Sequence, residues 1–276
     1  FFPNEHSFSA TAFTLYSSIM VVQRLNLSPD KWQGGFRRAC RFLTRYGDPG
    51  ASNQIAAAVA ALGRYSEMYS DSSFDAQREE LLAQLLASQS SEGWTPEYDG
   101  FDLGYQSITL SYLSDYNLRR KSDELTGALL NMIEFLSNFI HPDGSAGGVY
   151  GSRNTAFLAP YGFVSHVDVS ETAVAITNKV FLATDSPINE SLDDRYISHF
   201  ILPSYLLSIQ ELSGEYPKDA ELPFTRCGFT LFEEAGVYIH STSAYYFIGN
   251  LKKQGVFQLY GKDHKLGLMD SGFLAQ

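Results

Sequence analysis

Four polar stretches hold most of the side chains that can move a proton or hold an anion. They are Asn4, Glu5 and His6; Ser52, Asn53 and Gln54; Glu97, Tyr98, Asp99, Asp102, Tyr105 and Gln106; and Tyr150, Arg153 and Asn154. A histidine can take a proton near neutral pH, a tyrosine hydroxyl can give one, and amide and guanidinium groups can hold a carboxylate. Brought together, such groups suit proton transfer beside an acidic substituent. The fourth stretch, Gly144-Ser145-Ala146-Gly147-Gly148-Val149-Tyr150-Gly151-Ser152-Arg153-Asn154-Thr155, places small residues ahead of the arginine and the amide, so the loop can fold back and aim them. Asn154 or Thr155 is expected to cap a following helix, whose free N–H groups would join Arg153 in holding an anion. The plainer alternative is a surface turn and a cap.

Helical patterns separate these stretches. Phe8, Ala12, Leu15, Ile19 and Val22 recur at helical spacing, and Ser28-Pro29 opens a second helix that reaches about Tyr46. An alanine-rich helix follows from Ile55 to Tyr69, with a partner from Phe74 to Gln89. A helix through Tyr116 and an amphipathic one from Ser122 to Ile140 form the third pair. His141-Pro142-Asp143-Gly144 is a helix stop and turn. Further helices are expected from Asn154 to about His166, interrupted at Pro160 and Gly162, from Ser170 to Leu182, and from Asp193 to Leu212 with a kink at Pro203. Spacing from His6 to Asn53, Asp102 and Asn154 gives a repeat of about 50 residues, each unit a polar loop and two helices. Such a repeat predicts an incomplete (α/α) toroid, open or closed, or else an open solenoid, with the loops at one end. Past Gly214, Pro217, Pro223 and Gly228 mark a linker, and the runs from Gly236 read as strands. The expected division is a toroid at 1–213, a linker at 214–235 and the beginning of an antiparallel β-sandwich at 236–276.

A net charge of −11 argues against a broad surface for nucleic acid or anionic lipid, so a polyanionic partner needs a local basic pocket. With 17 Tyr and 20 Phe the chain has many side chains suited to a sugar groove as well as a core. No run of about 18 apolar residues is present, so no membrane span is expected. Cys40 and Cys227 are read as separate reduced thiols. No residues have metal-ligand spacing, and no phosphate-loop, dinucleotide or nucleophile-elbow pattern occurs, so no metal or cofactor is expected. The start at Phe1 and the end at Gln276 in mid-pattern suggest a piece of a longer protein.

A helical toroid followed by a β-sandwich resembles the heparinase II/III and alginate lyase group of polysaccharide lyases. The segments Asn4-Glu5-His6-Ser7, Glu97-Tyr98-Asp99 with Gly104-Tyr105-Gln106, and Gly151-Ser152-Arg153-Asn154-Thr155 are similar in kind to that group's cleft motifs. The resemblance implies β-elimination on a uronic-acid-containing glycan and a periplasmic or secreted location. It makes Asn154 or Asn4 the neutraliser of the substrate carboxylate, His6 the base, and Tyr105, Tyr98 or Tyr150 the acid. Arg153 would hold a carboxylate, and Asn53, Glu97, Asp102 and Gln106 would line the substrate cleft. The chain departs from the group's pattern in lacking a second loop histidine in register. Two alternatives stay open: a glycoside hydrolase using the third-stretch carboxylates, and a glycan-binding or assembly protein without turnover.

Overall fold

The computed structural model describes residues 6–46, 50–183, 195–212, 216, 220–263 and 267–270, with backbone alone at 195–200. Asn4 lies outside them. Helices α1 (Phe8–Arg24), α2 (Asp30–Leu43), α3 (Ser52–Tyr69), α4 (Asp75–Ala87), α5 (Leu103–Arg120) and α6 (Asp123–Ser137) form three successive antiparallel pairs. Side chains of Ser7, Asp102 and Ser122 accept a backbone N–H from the first turn of α1, α5 and α6 and fix where each begins.

The first helix of each pair lies inside. α3 packs between α1 and α5, and its buried Ala56, Ala57, Ala58, Ala60 and Ala61 let both neighbours approach closely. α2 by contrast buries only Phe36, Cys40 and Leu43 and turns its charged residues to solvent. α5 is buried nearly all round because α3, α6, α7 (Tyr161–Val164) and α9 (Arg195–Glu211) all contact it. At Gly162 of α7 a Cβ would stand 2.4 Å from Leu110 Cγ, so glycine permits that approach. α8 (Glu171–Ile176) continues as a wider π-helical turn, Thr177–Leu182.

A buried ion pair clamps the inner helices. Arg64 on α3 donates two parallel hydrogen bonds to Asp115 on α5, at 2.8 and 2.6 Å, and a third to Gln23 Oε1 on α1 at 2.8 Å. Its guanidinium also lies 5.0 Å from the centre of the Tyr16 ring.

The chain then forms an antiparallel meander in the order β1 (Gly228–Phe232), β2 (Val237–Ser241), β3 (Tyr245–Asn250), β4 (Val256–Gly261) and β5 (Gly267–Asp270). Val237, Ile239, Tyr246 and Ile248 make its buried face. Phe232 packs 5.0 Å from Phe135, and the Tyr246 hydroxyl donates to the Asn138 carbonyl at 2.7 Å. The described chain is therefore a helical toroid arc followed by an antiparallel sheet, with the fourth loop between them.

Two segments differ from the sequence pattern. β1 falls within the stretch read as a linker, because only Phe232 of its apolar residues packs on the helices while Phe229 and Leu231 stay exposed. No helix starts at Asn154: residues 154–159 form neither helix nor strand, and α7 begins only after Pro160. The backbone of that segment is satisfied sideways instead. Gly148 N–H donates to the Thr155 carbonyl at 2.8 Å, and Ala159 N–H to Ser107 Oγ at 2.8 Å. Asn154 itself has φ 59°, outside helical backbone.

Asp115→Ala leaves the buried Arg64 cation without its carboxylate and should cost about 3–5 kcal/mol in chemical denaturation. Replacing both partners by apolar residues, Arg64→Met with Asp115→Leu, should recover most of that loss.

Candidate functional site

The second, third and fourth loops are knitted together at one end of the helices. Ala51 and Glu97 pair as a short bridge, Ser52 N–H and Oγ donate to the Pro96 carbonyl at 3.1 and 2.7 Å, and Ser152 N–H donates to the Phe101 carbonyl at 2.8 Å. Asp102 is the hub. One carboxylate oxygen accepts Tyr105 N–H at 3.2 Å and the Thr155 hydroxyl; the other accepts Arg153 N–H at 2.9 Å and Thr155 N–H at 3.3 Å. The fourth loop is thus fastened over the start of α5 by a side chain that also caps it. At Gly147, φ 75°, a Cβ would lie 2.2 Å from the Thr155 carbonyl oxygen, so this crossing also needs glycine.

Four residues expected to line a cleft form this framework instead. Asn53, Glu97, Asp102 and Gln106 are all buried. Glu97 accepts the Asn53 backbone N–H at 2.8 Å and its side-chain Nδ2 at 2.6 Å, and Gln106 Nε2 donates to the Gly93 carbonyl at 3.2 Å. Burial pushes the Glu97 carboxyl up to about 8; the Asn53 bonds oppose the shift, and the Asp102 charge adds to it. Polar residues in a loop signalled a solvent-facing site, but each has found a protein partner and turned inward.

Tyr150 is likewise buried. Its ring packs on Phe139 at 5.4 Å, and its hydroxyl meets His141 Nε2 at 2.8 Å. His141 Nδ1 lies 2.7 Å from Ser145 Oγ, which donates to Asp143 Oδ1 at 2.6 Å. That direction gives His141 the proton on Nδ1 and leaves Nε2 to accept from Tyr150. Burial holds the imidazole down at about 3, and it stacks on Tyr260 of β4 at 4.0 Å. Tyr150 is therefore a packing residue beneath the sheet rather than an acid open to a ligand. The stop at His141 ends α6 as the sequence indicated, and the ring then joins the core.

The residues that open outward are fewer. Tyr98, φ 63° and 42% exposed, carries the Arg153 guanidinium 4.6 Å above its ring. Asn154 beside it is exposed. Tyr105 is half-buried against Phe157, and burial first, then the Asp102 charge, raises its phenol. His6 is exposed at the start of α1, 6.1 Å from the Phe42 ring at the end of α2, which places it at the loop end of the bundle. From the sheet comes Lys253, which sequence patterns missed: its Nζ donates to the Gly151 carbonyl at 2.5 Å and to Asn154 Oδ1. Asn250 reaches the same loop, Nδ2 to the Tyr150 carbonyl at 2.7 Å. The pair Lys252-Lys253 in a hairpin turn of an acidic chain was the available signal.

A polar cleft of about 320 Å³ flanks the same interface, lined in part by Glu134, Asn138, Glu171, Arg226 and Tyr246. Its one tyrosine hydroxyl is committed to the Asn138 carbonyl, and no histidine lines it. Among the described residues no group of three His, Cys, Asp or Glu is placed to hold a metal, and no helix is long and apolar enough to cross a membrane.

Helical arc, antiparallel sheet and a loop site where they meet define a class of architecture, and the comparisons bear on which. No protein-family model matches the chain, and no curated protein matches it. Among solved structures it is similar to the crystal structure of heparinase III, with a TM-score of 0.63 and 14% identity over 96% of this chain and 42% of that one. The likeness is one of fold, and the chain spans about two fifths of that protein's length.

A carboxyl protonated in the folded state up to about pH 8 and ionised above about 4.5 when unfolded stabilises the fold most at low pH and loses that contribution as pH rises between the two values. Glu97→Gln keeps the shape, and rotating the Asn53 amide satisfies the new N–H₂. Melting temperatures from pH 5 to pH 8 should therefore fall less steeply in the variant than in the parent.

Proposed function

We propose that the chain contributes the site of a polysaccharide lyase acting on a uronic-acid-containing glycan. One observation carries the proposal: Arg153 and Asn154 face outward beside Tyr105, on a heparinase III-like fold, in a loop held by Asp102. Asn154 and Arg153 would bind the uronate carboxylate and so make the neighbouring C5–H more acidic. His6 would take that proton; Asn4 is the other candidate for neutralising the carboxylate. The electron pair left on C5 forms the C4–C5 double bond as the C4–O bond breaks, and Tyr105 gives its proton to the leaving oxygen. A phenol raised by burial stays protonated at neutral pH, which suits an acid.

The hydrolase alternative needs two free carboxyl groups. Of the third-stretch carboxyl groups Glu97, Asp99 and Asp102, Glu97 and Asp102 are buried and taken up by Asn53, Arg153, Thr155 and Tyr105, which leaves exposed Asp99 without a second free carboxyl on that stretch. Binding without turnover remains the other outcome of the test.

Incubated with alginate, hyaluronan or heparan sulfate, the intact protein should release products with a C4–C5 double bond, seen as ultraviolet absorbance. Asn154→Ala should lower turnover by about two to three powers of ten, the scale for losing one transition-state donor, with little change in melting temperature. Products heavier by one water and without the absorbance would establish hydrolysis instead. Binding with no product would establish a non-catalytic role.

A further inference from the structure

We propose that Lys253, delivered by the sheet, is a specificity-determining residue that reads the substrate carboxylate together with Asn154 and Arg153. The inference rests on the glycan site proposed above and extends it to a side chain on the other side of the interface. An ammonium group has three N–H donors and no acceptor. Two of Lys253's donors go to the Gly151 carbonyl and Asn154 Oδ1, which leaves one. Because lysine can only donate, the Asn154 amide must turn its oxygen toward Nζ, and its Nδ2 then points the other way. That N–H₂ group has no partner among the described residues, and Asn154 is exposed. Lys253 therefore sets which end of the amide a ligand meets.

Charge points the same way. In a chain of net charge −11, neither Lys253 nor Arg153 forms an ion pair among the described residues. Asp102, the nearby carboxylate, is occupied by backbone N–H groups and a hydroxyl. Two cations without an ion-pair contact among the described residues and an outward amide around a single turn of loop fit a planar carboxylate with two acceptor oxygens. A neutral sugar would bring these cations no opposite charge. Lys253 is also tied to the turn after β3, its backbone N–H donating to Asn250 Oδ1 at 3.0 Å, so the sheet's seat on the fourth loop fixes the ammonium's position.

The test uses the intact protein with Lys253→Met and Lys253→Arg. Binding and turnover are measured on alginate, hyaluronan and heparan sulfate, and on the same polymers after reduction of their carboxyl groups to alcohols. The parent should prefer the unreduced form. Lys253→Met should lose roughly ten- to a hundredfold of its affinity for that form, the range for a hydrogen bond to a charged group, while binding the reduced polymer as the parent does. Lys253→Arg, which keeps the charge, should retain part of the preference. An equal loss on both polymers with a lowered melting temperature would make Lys253 a structural tie and overturn the assignment, as would a parent indifferent to reduction. A parent that binds none of the polymers would overturn the glycan site itself, before any variant is compared.

Discussion

A single buried carboxylate, Asp102, decides how the two halves of the site region meet. It starts α5 by capping its first turn, and it holds Arg153 and Thr155 of the fourth loop. Those are different tasks in sequence, about 50 residues apart, performed by the same two oxygen atoms. A carboxyl group with no exposure is tolerable only when its polar atoms have partners, and here N–H groups and a hydroxyl supply them. The arrangement makes the loop's course a consequence of the helix's starting point. Shift the cap by one residue and the loop loses its anchor.

Around that anchor the helices and the sheet act in turn. α5 must be rigid to hold Asp102, and it is enclosed by α3, α6, α7 and α9 and clamped through Asp115 to Arg64. The sheet then presses on the loop from the far side. His141 and Tyr260 stack at the interface, Asn250 takes the Tyr150 carbonyl, and Lys253 takes that of Gly151. With its backbone accounted for on both sides, the loop has little freedom left, and the side chains that remain outside are the ones directed outward. Pre-organised groups lose less entropy on meeting a ligand than free ones.

Much of this was legible from periodicity alone. The three helix pairs, the recurrence of polar loops and the change to strands follow from apolar spacing and turn residues, because a helix face or a strand face must be buried for the element to persist. The loops were harder, since polarity says that a group needs a hydrogen-bond partner and does not say whether the partner is water or protein. Asn53, Glu97 and Gln106 turned inward; Tyr98 and Arg153, of equally polar type, turned outward. The irregular run after Asn154 escaped for a related reason. Thr155 and Ala159 hydrogen-bond to α5 and the loop before it, and such long-range partners leave no local pattern to read. Lys253 escaped because it reaches the site from 99 residues further along the chain, and no periodicity relates a hairpin turn to a distant loop.

The proposed reading, in which an acidic protein holds an acidic polymer, raises an electrostatic question on which the buried groups bear. At physiological ionic strength charges more than about 8 Å apart are largely screened, so the −11 total matters less than the groups nearest the loop. Among them, burial holds Glu97 protonated up to about pH 8. The oxygens of Asp102 are already turned to N–H donors and to the Thr155 hydroxyl. In the proposed reading an approaching anion would meet Arg153 and Lys253 at this loop. The local field at this loop thus depends on the protonation of Glu97: ionising it, as pH rises through about 8, would place a buried negative charge near the cations and offset part of their attraction.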